Sequence, residues 1–355
     1  MDRTTSDLAW VLSGEDSFNI YMFHGGTNWG FDNGAVWSGD RSLAVTTSYD
    51  YGAPLDESGR PTELYHQIRE TIAKHVPAGS IPHVPAVPRL IQTGDIVLKP
   101  VLSLFDMLPK QPMIESAAPV PMEHMDQSYG FVLYQHTVEE EAEGILFVGD
   151  GPRDRVLVYQ NGHRVGIIDG TYSSPGRVRV RLNEGDLLQL LVENLGRVDK
   201  GHKFEDQRKG IVGNVTVGTR QTLERWKTYS LPLTKLPRGL SRGDKVVVFH
   251  RQSPMFYTGS FRLAENAQPG LGSDMFLSID KAIKGQVWVN GVNLGRYWAM
   301  GPQQSLYLPG CYLNAAGRSN KIVVLELEPE ANRPMVAKGL SSREWFNRPD
   351  PDSVV

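Results

Sequence analysis

Two Asn-Gly dipeptides constrain this chain more than anything else in it. Asn161-Gly162 lies inside VLVYQNGHRVG (156–166), and Asn290-Gly291 lies inside GQVWVNGVNLG (285–295). Each is flanked by runs in which apolar residues dominate. A two-residue type I′ turn needs positive φ at both central positions, and Asn followed by Gly meets that need at least cost. Such a chain must run strand, reversal, strand, so antiparallel β structure is expected around both turns. Both phrases read as strand, Asn-Gly, then a hydrophobe and a glycine on the return. That points to two related β-sandwich domains and not to a long repeat array.

The rest of the chain carries the same pattern. Short apolar runs at 131–134, 144–148, 156–159, 164–167, 178–182 and 186–192 predict a first set of strands. A second set is expected at 226–233, 245–250, 255–263, 275–280, 286–289, 305–308 and 321–327. With 36 Gly and 23 Pro there are turn residues enough to separate them. The fold class expected is mainly β, with two β-sandwich or jelly-roll domains.

Residues 1–76 differ. Leu8, Val11 and Leu12 fall at helical spacing, with Ser6 or Asp7 to cap and Gly14 to stop. The aromatic run 18–23 reads as a buried strand. Residues 61–74 read as a helix, with Pro61 at its first position, Leu64, Ile68 and Ile72 on one stripe, and Pro77 ending it. Pro77, Pro82, Pro85 and Pro88 then predict an extended linker. The expected division is 1–76, a proline-rich linker over 77–125, a first sandwich over 126–218, a second over 219–330, and a surface tail over 331–355.

Bulk properties exclude several classes. A net charge of −3 leaves no basic footprint for nucleic acid and no polybasic membrane patch. The single cysteine, Cys311, cannot form an intrachain disulfide and reads as a small packed side chain. No apolar stretch approaches about 18 residues, so no membrane span is expected. The opening Met-Asp-Arg-Thr-Thr-Ser-Asp is acidic and polar, unlike a secretion signal. No metal-ligand spacing, phosphate-binding loop or dinucleotide fingerprint occurs, so no cofactor is expected. Asn214-Val215-Thr216 is a glycosylation sequon, meaningful only in a secreted chain.

The stretch from 18 to 52 has the composition of a sugar pocket. Gly25-Gly26 allows a sharp turn or a close approach. Asn28, Trp29, Phe31 and Asn33 follow, then Tyr49, Asp50 and Tyr51. Flat rings stack on the apolar face of a sugar, while amides, hydroxyls and a carboxylate bond its rim. The same composition suits an ordinary strand-to-loop junction packed with aromatics.

In sequence, FNIYMFHGGTNWGFDNGA (18–35) followed by TTSYDYGAPLDESGRPTELY (46–65) resembles the glycoside hydrolase family 35 β-galactosidases. GFVLYQ (130–135), LLVENLGRVDKG (190–201) and GQVWVNGVNLGRYWAMGPQQSLYLPG (285–310) extend the resemblance over nearly the whole chain. It implies that 1–76 is the last helix-strand-helix step of a (β/α)8 TIM barrel, whose sites lie at the C-terminal ends of strands. It implies hydrolysis of terminal non-reducing β-D-galactose residues on galactose-terminated glycans, with retained configuration. It implicates Tyr51 in contacting galactose, with Asp50 and Tyr49 as supports and Asn28 and Trp29 at the pocket rim. Intact relatives are commonly lysosomal or secreted, which the resemblance implies here only if the intact parent carries a signal peptide.

The resemblance also exposes what is missing. A retaining glycosidase needs two carboxyl groups about 5 Å apart, one as acid/base and one as nucleophile. The family carries them as glutamates in a Gln-x-Glu-Asn-Glu-Tyr-Gly phrase and a Glu-Phe/Tyr-x-x-Gly-Trp phrase, and neither occurs in these 355 residues. The chain reads as the carboxy-terminal portion of such an enzyme, inactive alone, with no catalytic residue assigned. A missing barrel fragment or a second copy is the partner left open. Asp32, Asp50, Asp56, Glu57 and Glu63 do not suggest a substitute pair: Asp56 and Glu57 precede Ser58-Gly59 as turn residues, and Glu63 suits a helix start. His24 is read as structural, since the retaining mechanism has no need of it. Glu193, Asn194 and Arg197 read as a structural polar cluster. The competing reading is a non-catalytic carbohydrate-binding or scaffold protein, in which Trp288, Tyr297 and Trp298 form a ridge for glycans instead of packing a core.

Overall fold

The computed structural model describes residues 3–14, 16–39, 41–43, 47–50, 52–171, 176–201, 204–218, 221–237, 240, 252–264, 272–330 and 335–345. The architecture is mainly β. Two α-helices occur among the described residues, α1 (Arg3–Ser13) and α2 (Glu63–Ala73), and they pack against each other. Thr62 caps α2, its hydroxyl accepting from the Tyr65 amide at 3.4 Å, so Pro61 lies just outside the helix.

The first sandwich sets a six-stranded sheet against a four-stranded one. In spatial order the larger sheet holds Ile114–Ser116, Trp226–Leu231, Phe131–Thr137, Leu187–Glu193, Arg155–Gln160 and His163–Asp169. The smaller holds Gln221–Leu223, Val215–Val217, Ala142–Val148 and Arg179–Leu182. Alternation sends Val132, Tyr134, Val156 and Val158 inward to meet Leu146, Val148, Val180 and Val215.

The second unit is one eight-stranded sheet curled around its own core. Its order is Val292–Trp298, Lys284–Val289, Ser319–Glu326, Met255–Arg262, Asp95–Ser103, Met335–Leu340, Met275–Asp280 and Ser305–Leu308. Leu98, Tyr257, Leu277, Val287, Leu308 and Val324 fill it. A third core lies between the two units. Leu133, Leu157, Tyr159 and Leu191 from the six-stranded sheet meet Phe256, Trp288, Val323 and Leu325 from the eight-stranded one.

Both Asn-Gly turns are as expected: φ is 52° and 77° at Asn161 and Gly162, and 50° and 87° at Asn290 and Gly291. Four other expectations are corrected. Residues 18–23 do not form a strand, and Phe18, Tyr21 and Phe23 are exposed. A buried strand needs neighbours on both sides, and the segment's nearest ladder contact is one parallel bridge, His24 to Leu55. The described residues do not show the TIM-barrel remnant. The linker over 77–125 contains two strands, Asp95–Ser103 in the eight-stranded sheet and Ile114–Ser116 in the six-stranded one. Pro100 is accommodated where the pairing of 95–103 with 255–262 shifts register. Trp226–Leu231, expected to open the second sandwich, completes the first by pairing with 131–137. The tail contributes Met335–Leu340 between 95–103 and 275–280, with Met335, Ala337 and Gly339 facing inward. The strand expected over 245–250 lies outside the described residues.

Candidate functional site

Residues 27–57 are the segment that both β units hold. Asn33 is the pivot. Its amide donates to the Leu195 carbonyl of the first unit, and its Oδ1 accepts from Arg296 of the second at 2.8 Å. Gly34–Ser38 pairs in parallel with Arg197–Lys200. Trp29 packs its ring on Tyr307 and Tyr312, with centroids at 6.3 and 5.6 Å. Phe31 meets Phe131 edge-on at 6.0 Å. Trp29 is thus committed to packing on the second unit, and the backbone amide of Asn28 donates to the Thr47 carbonyl at 2.8 Å.

The loop from Thr47 follows from these anchors. Thr47 Oγ1 donates to the Arg296 carbonyl at 2.6 Å, and the Ser48 amide donates to Gln303 Oε1 at 2.8 Å. The Tyr49 amide donates to the Gly26 carbonyl at 2.9 Å. Gly25 is required here, because a Cβ at that position would lie 1.7 Å from the Tyr49 carbonyl oxygen. The close approach expected at Gly25-Gly26 is therefore made to the chain's own backbone. Tyr49 is 49% exposed, whereas Asp50 behind it is 3% exposed. Tyr51 lies outside the described residues.

Asp50 shapes the loop. Its Oδ1 accepts from the Gly52 amide at 3.1 Å, its Oδ2 accepts from the Glu57 amide at 3.3 Å, and the Arg343 guanidinium forms an ion pair with it. Asp56 is the turn residue it resembles in sequence, accepting from the Ser58 amide and hydroxyl and from the Arg60 amide. Glu57 is not. It is 3% exposed, and its Oε1 accepts from Thr27 Oγ1 at 2.6 Å. Burial pushes its carboxyl up to about 7; hydrogen bonds from Thr27 and Ser48 and the charge of Arg343 oppose the rise, while Asp50 adds to it. His24 Nε2 lies 3.2 Å from the Glu57 carbonyl oxygen, a structural contact.

Asp50 and Glu57 thus form a buried carboxyl pair that sequence reasoning missed as a pair. No local signal separates Glu57 from its neighbour Asp56, and Arg343 sits 293 residues from Asp50 in sequence. Both carboxyl groups are almost wholly covered and bonded to their own loop, so neither can reach a glycosidic bond as drawn. Trp288 is buried in the core between the units and cannot form an exposed ridge. Tyr297 donates to Glu326 at 3.0 Å, and Trp298 receives the Lys284 ammonium 4.0 Å from its ring centroid. Among the described residues no cluster of His, Cys, Asp and Glu is placed to hold a metal ion, and no helix is long and apolar enough to cross a membrane.

Comparison with known proteins gives this loop its context. Residues 1–75 match the model described as glycosyl hydrolases family 35, residues 119–232 the first all-beta domain of beta-galactosidase, and residues 254–320 the beta-galactosidase galactose-binding domain. A beta-galactosidase of Xanthomonas manihotis is 37% identical over 313 residues, covering 86% of this chain and 49% of the relative. The chain belongs to glycosyl hydrolases family 35. A beta-galactosidase-1-like protein of Mus musculus is 36% identical over 340 residues, covering 90% of this chain and 49% of that protein. The beta-galactosidase-1-like protein 2 of Homo sapiens is 35% identical over 333 residues, covering 89% and 49%. The family 35 chain thus spans about half the length of the curated relatives it matches.

Proposed function

We propose that this chain is part of a β-galactosidase that removes terminal non-reducing β-D-galactose residues from glycans with retained configuration. Its 355 residues supply one wall of the sugar pocket and the β units that hold it. The carrying observation is the loop segment Thr47–Asp50. Four separate stretches of chain fix it, through Gly26, Arg296, Gln303 and Arg343, and it leaves Tyr49 exposed over a buried Asp50. A loop held so closely suits a binding surface that must be rigid before the ligand arrives. In this reading Tyr51 contacts galactose, Asp50 and Tyr49 support it, and Asn28 and Trp29 line the rim.

Neither catalytic glutamate phrase occurs in the sequence. In this reading the acid/base and the nucleophile come from a barrel segment packed against residues 3–75. Trp10 and Tyr21, 77% and 86% exposed, offer such a segment apolar surface. The test is release of nitrophenol from its β-D-galactoside. The 355-residue chain alone is expected to give no turnover above a host-only control. Mixed with the barrel segment of the Xanthomonas manihotis relative, it is expected to gain activity that Tyr49→Ala weakens. Full activity of the isolated chain, or a physically associated but inactive mixture, would overturn the reading.

A further inference from the structure

The geometry points to Glu57 as the positioning residue for the sugar-site loop, acting through Thr27 and Ser48 while Arg343 clamps Asp50 from the other side. This rests on the reading of Thr47–Asp50 as a wall of the galactose pocket, and it concerns a residue that does not touch the sugar. Thr27 and Ser48 are bridged as an antiparallel pair, which brings the strand-like segments on either side of the pocket rim together. Glu57 sits beneath that bridge. Its carboxyl takes the Thr27 hydroxyl at 2.6 Å and bonds the Ser48 side chain, so one group ties both halves of the bridge. Its own backbone amide in turn donates to Asp50. Removing the carboxyl would take the shared acceptor from the half-buried Thr27 hydroxyl and the buried Ser48 hydroxyl, next to Tyr49 in the chain.

The protonation state of this group belongs to the device. Among the described residues, the charged groups facing the Glu57 carboxyl are Asp50, which disfavours its ionisation, and Arg343, which favours it but is already engaged by Asp50; the one titratable ring beside the residue, His24, meets its backbone carbonyl. Burial, helped by Asp50, outweighs Arg343 and the hydrogen bonds from Thr27 and Ser48, and the carboxyl is pushed up to about 7. Below that pH the neutral acid sits in its cover at no charge cost. Above it, an extra negative charge beside Asp50 must either be desolvated or open the loop to water. The loop therefore holds its shape best on the acid side of neutrality.

The test is amide hydrogen exchange of the full 355-residue chain, corrected for intrinsic rate, at pH 5 and pH 8. Residues 47–50 and 52–58 are compared with Leu187–Glu193 as an internal reference. Wild type should lose protection in the loop by at least about tenfold between the two pH values while the reference stays constant. Glu57→Gln, which keeps an acceptor and cannot ionise, should hold the pH 5 level of protection at pH 8. Thr27→Val should lose protection at both. A wild-type loop indifferent to pH, or a Gln variant as open as Thr27→Val, would overturn the assignment. No sugar enters this experiment, so its failure is separable from failure of the galactosidase reading, which the nitrophenol assay decides.

Discussion

Lys284 Nζ lies 2.9 Å from Glu193 Oε1, with both side chains closed to water. The two residues come from different sheets, Lys284–Val289 in the curled eight-stranded unit and Leu187–Glu193 in the first sandwich. Arg296 Nε reaches the same oxygen at 2.7 Å, and its far nitrogens bond Asn33 and the Asn194 carbonyl. One carboxylate thus joins both β units and the segment that leads to the loop at Thr47–Asp50. Burial alone would push Glu193 up, but Lys284, Arg296 and Arg155 together hold it near 2.

This arrangement is asymmetric. Glu193→Gln leaves a buried ammonium and guanidinium without their counter-charge and should cost about 3–5 kcal/mol of stability. Lys284→Met leaves Glu193 still paired with Arg296 and should cost less. Urea denaturation of both variants at one pH checks the order. Equal losses would show that Arg296 does not sustain the carboxylate by itself.

Lys284 also carries a pH signature. Burial pushes its ammonium down to about 7; Glu193 opposes that fall, and Arg296 and Arg155 add to it. In the unfolded chain the lysine keeps its proton up to its ordinary value above 10, so between about 7 and that value the unfolded state binds more protons. This group's contribution therefore grows as pH rises from 7 and is smallest below it. Denaturation midpoints of wild type between pH 6 and 9 should rise relative to Lys284→Met, and parallel curves would refute the assignment.

Glu57 has the opposite sign. Its carboxyl is raised to about 7, first by burial, so the folded state holds a proton that the unfolded state surrenders above the usual carboxylate range. Stability is lost as pH rises from about 4.5 to 7. Glu57→Gln should match wild type near pH 4.5 and exceed it at pH 7.5 by up to ~3 kcal/mol. Thermal unfolding at the two pH values reads this directly.

Gly25→Ala should open the loop from its other end. The added methyl would meet the Tyr49 carbonyl, and overpacking of that kind costs about 1–3 kcal/mol. The Asn28 and Tyr49 amides, bonded to Thr47 and Gly26, should lose exchange protection first. If those two amides stay protected while the chain loses stability elsewhere, the loop is not held at Gly25.

Trp288→Ala should act as a core deletion. The ring is buried between the sheets, 6.4 Å from Phe256, and its loss should cost about 3–5 kcal/mol. Galactoside binding that survives per folded molecule would agree with that role, and selective loss of binding at unchanged stability would not.

The chain's own order of residues determined that it is β-rich and where its strands reverse. Asn161-Gly162 and Asn290-Gly291 state their turns locally, because positive φ is a property of two adjacent residues. The near-continuous apolar runs 131–134 and 187–192 likewise mark strands that are covered on both faces. What lay beyond local pattern was decided by partners far along the chain. Residues 18–23 look like a buried strand yet lie open, since a ladder needs neighbours and composition cannot supply them. Residues 335–340 look like a tail yet fill a gap between 95–103 and 275–280. Glu57 looks like a turn residue beside Asp56, and only the packing of Thr27, Ser48 and Asp50 around it removes its water. Desolvation and pairing are properties of what surrounds a group, and for Glu57, Arg343 and Lys284 the tertiary structure alone brings those surroundings together.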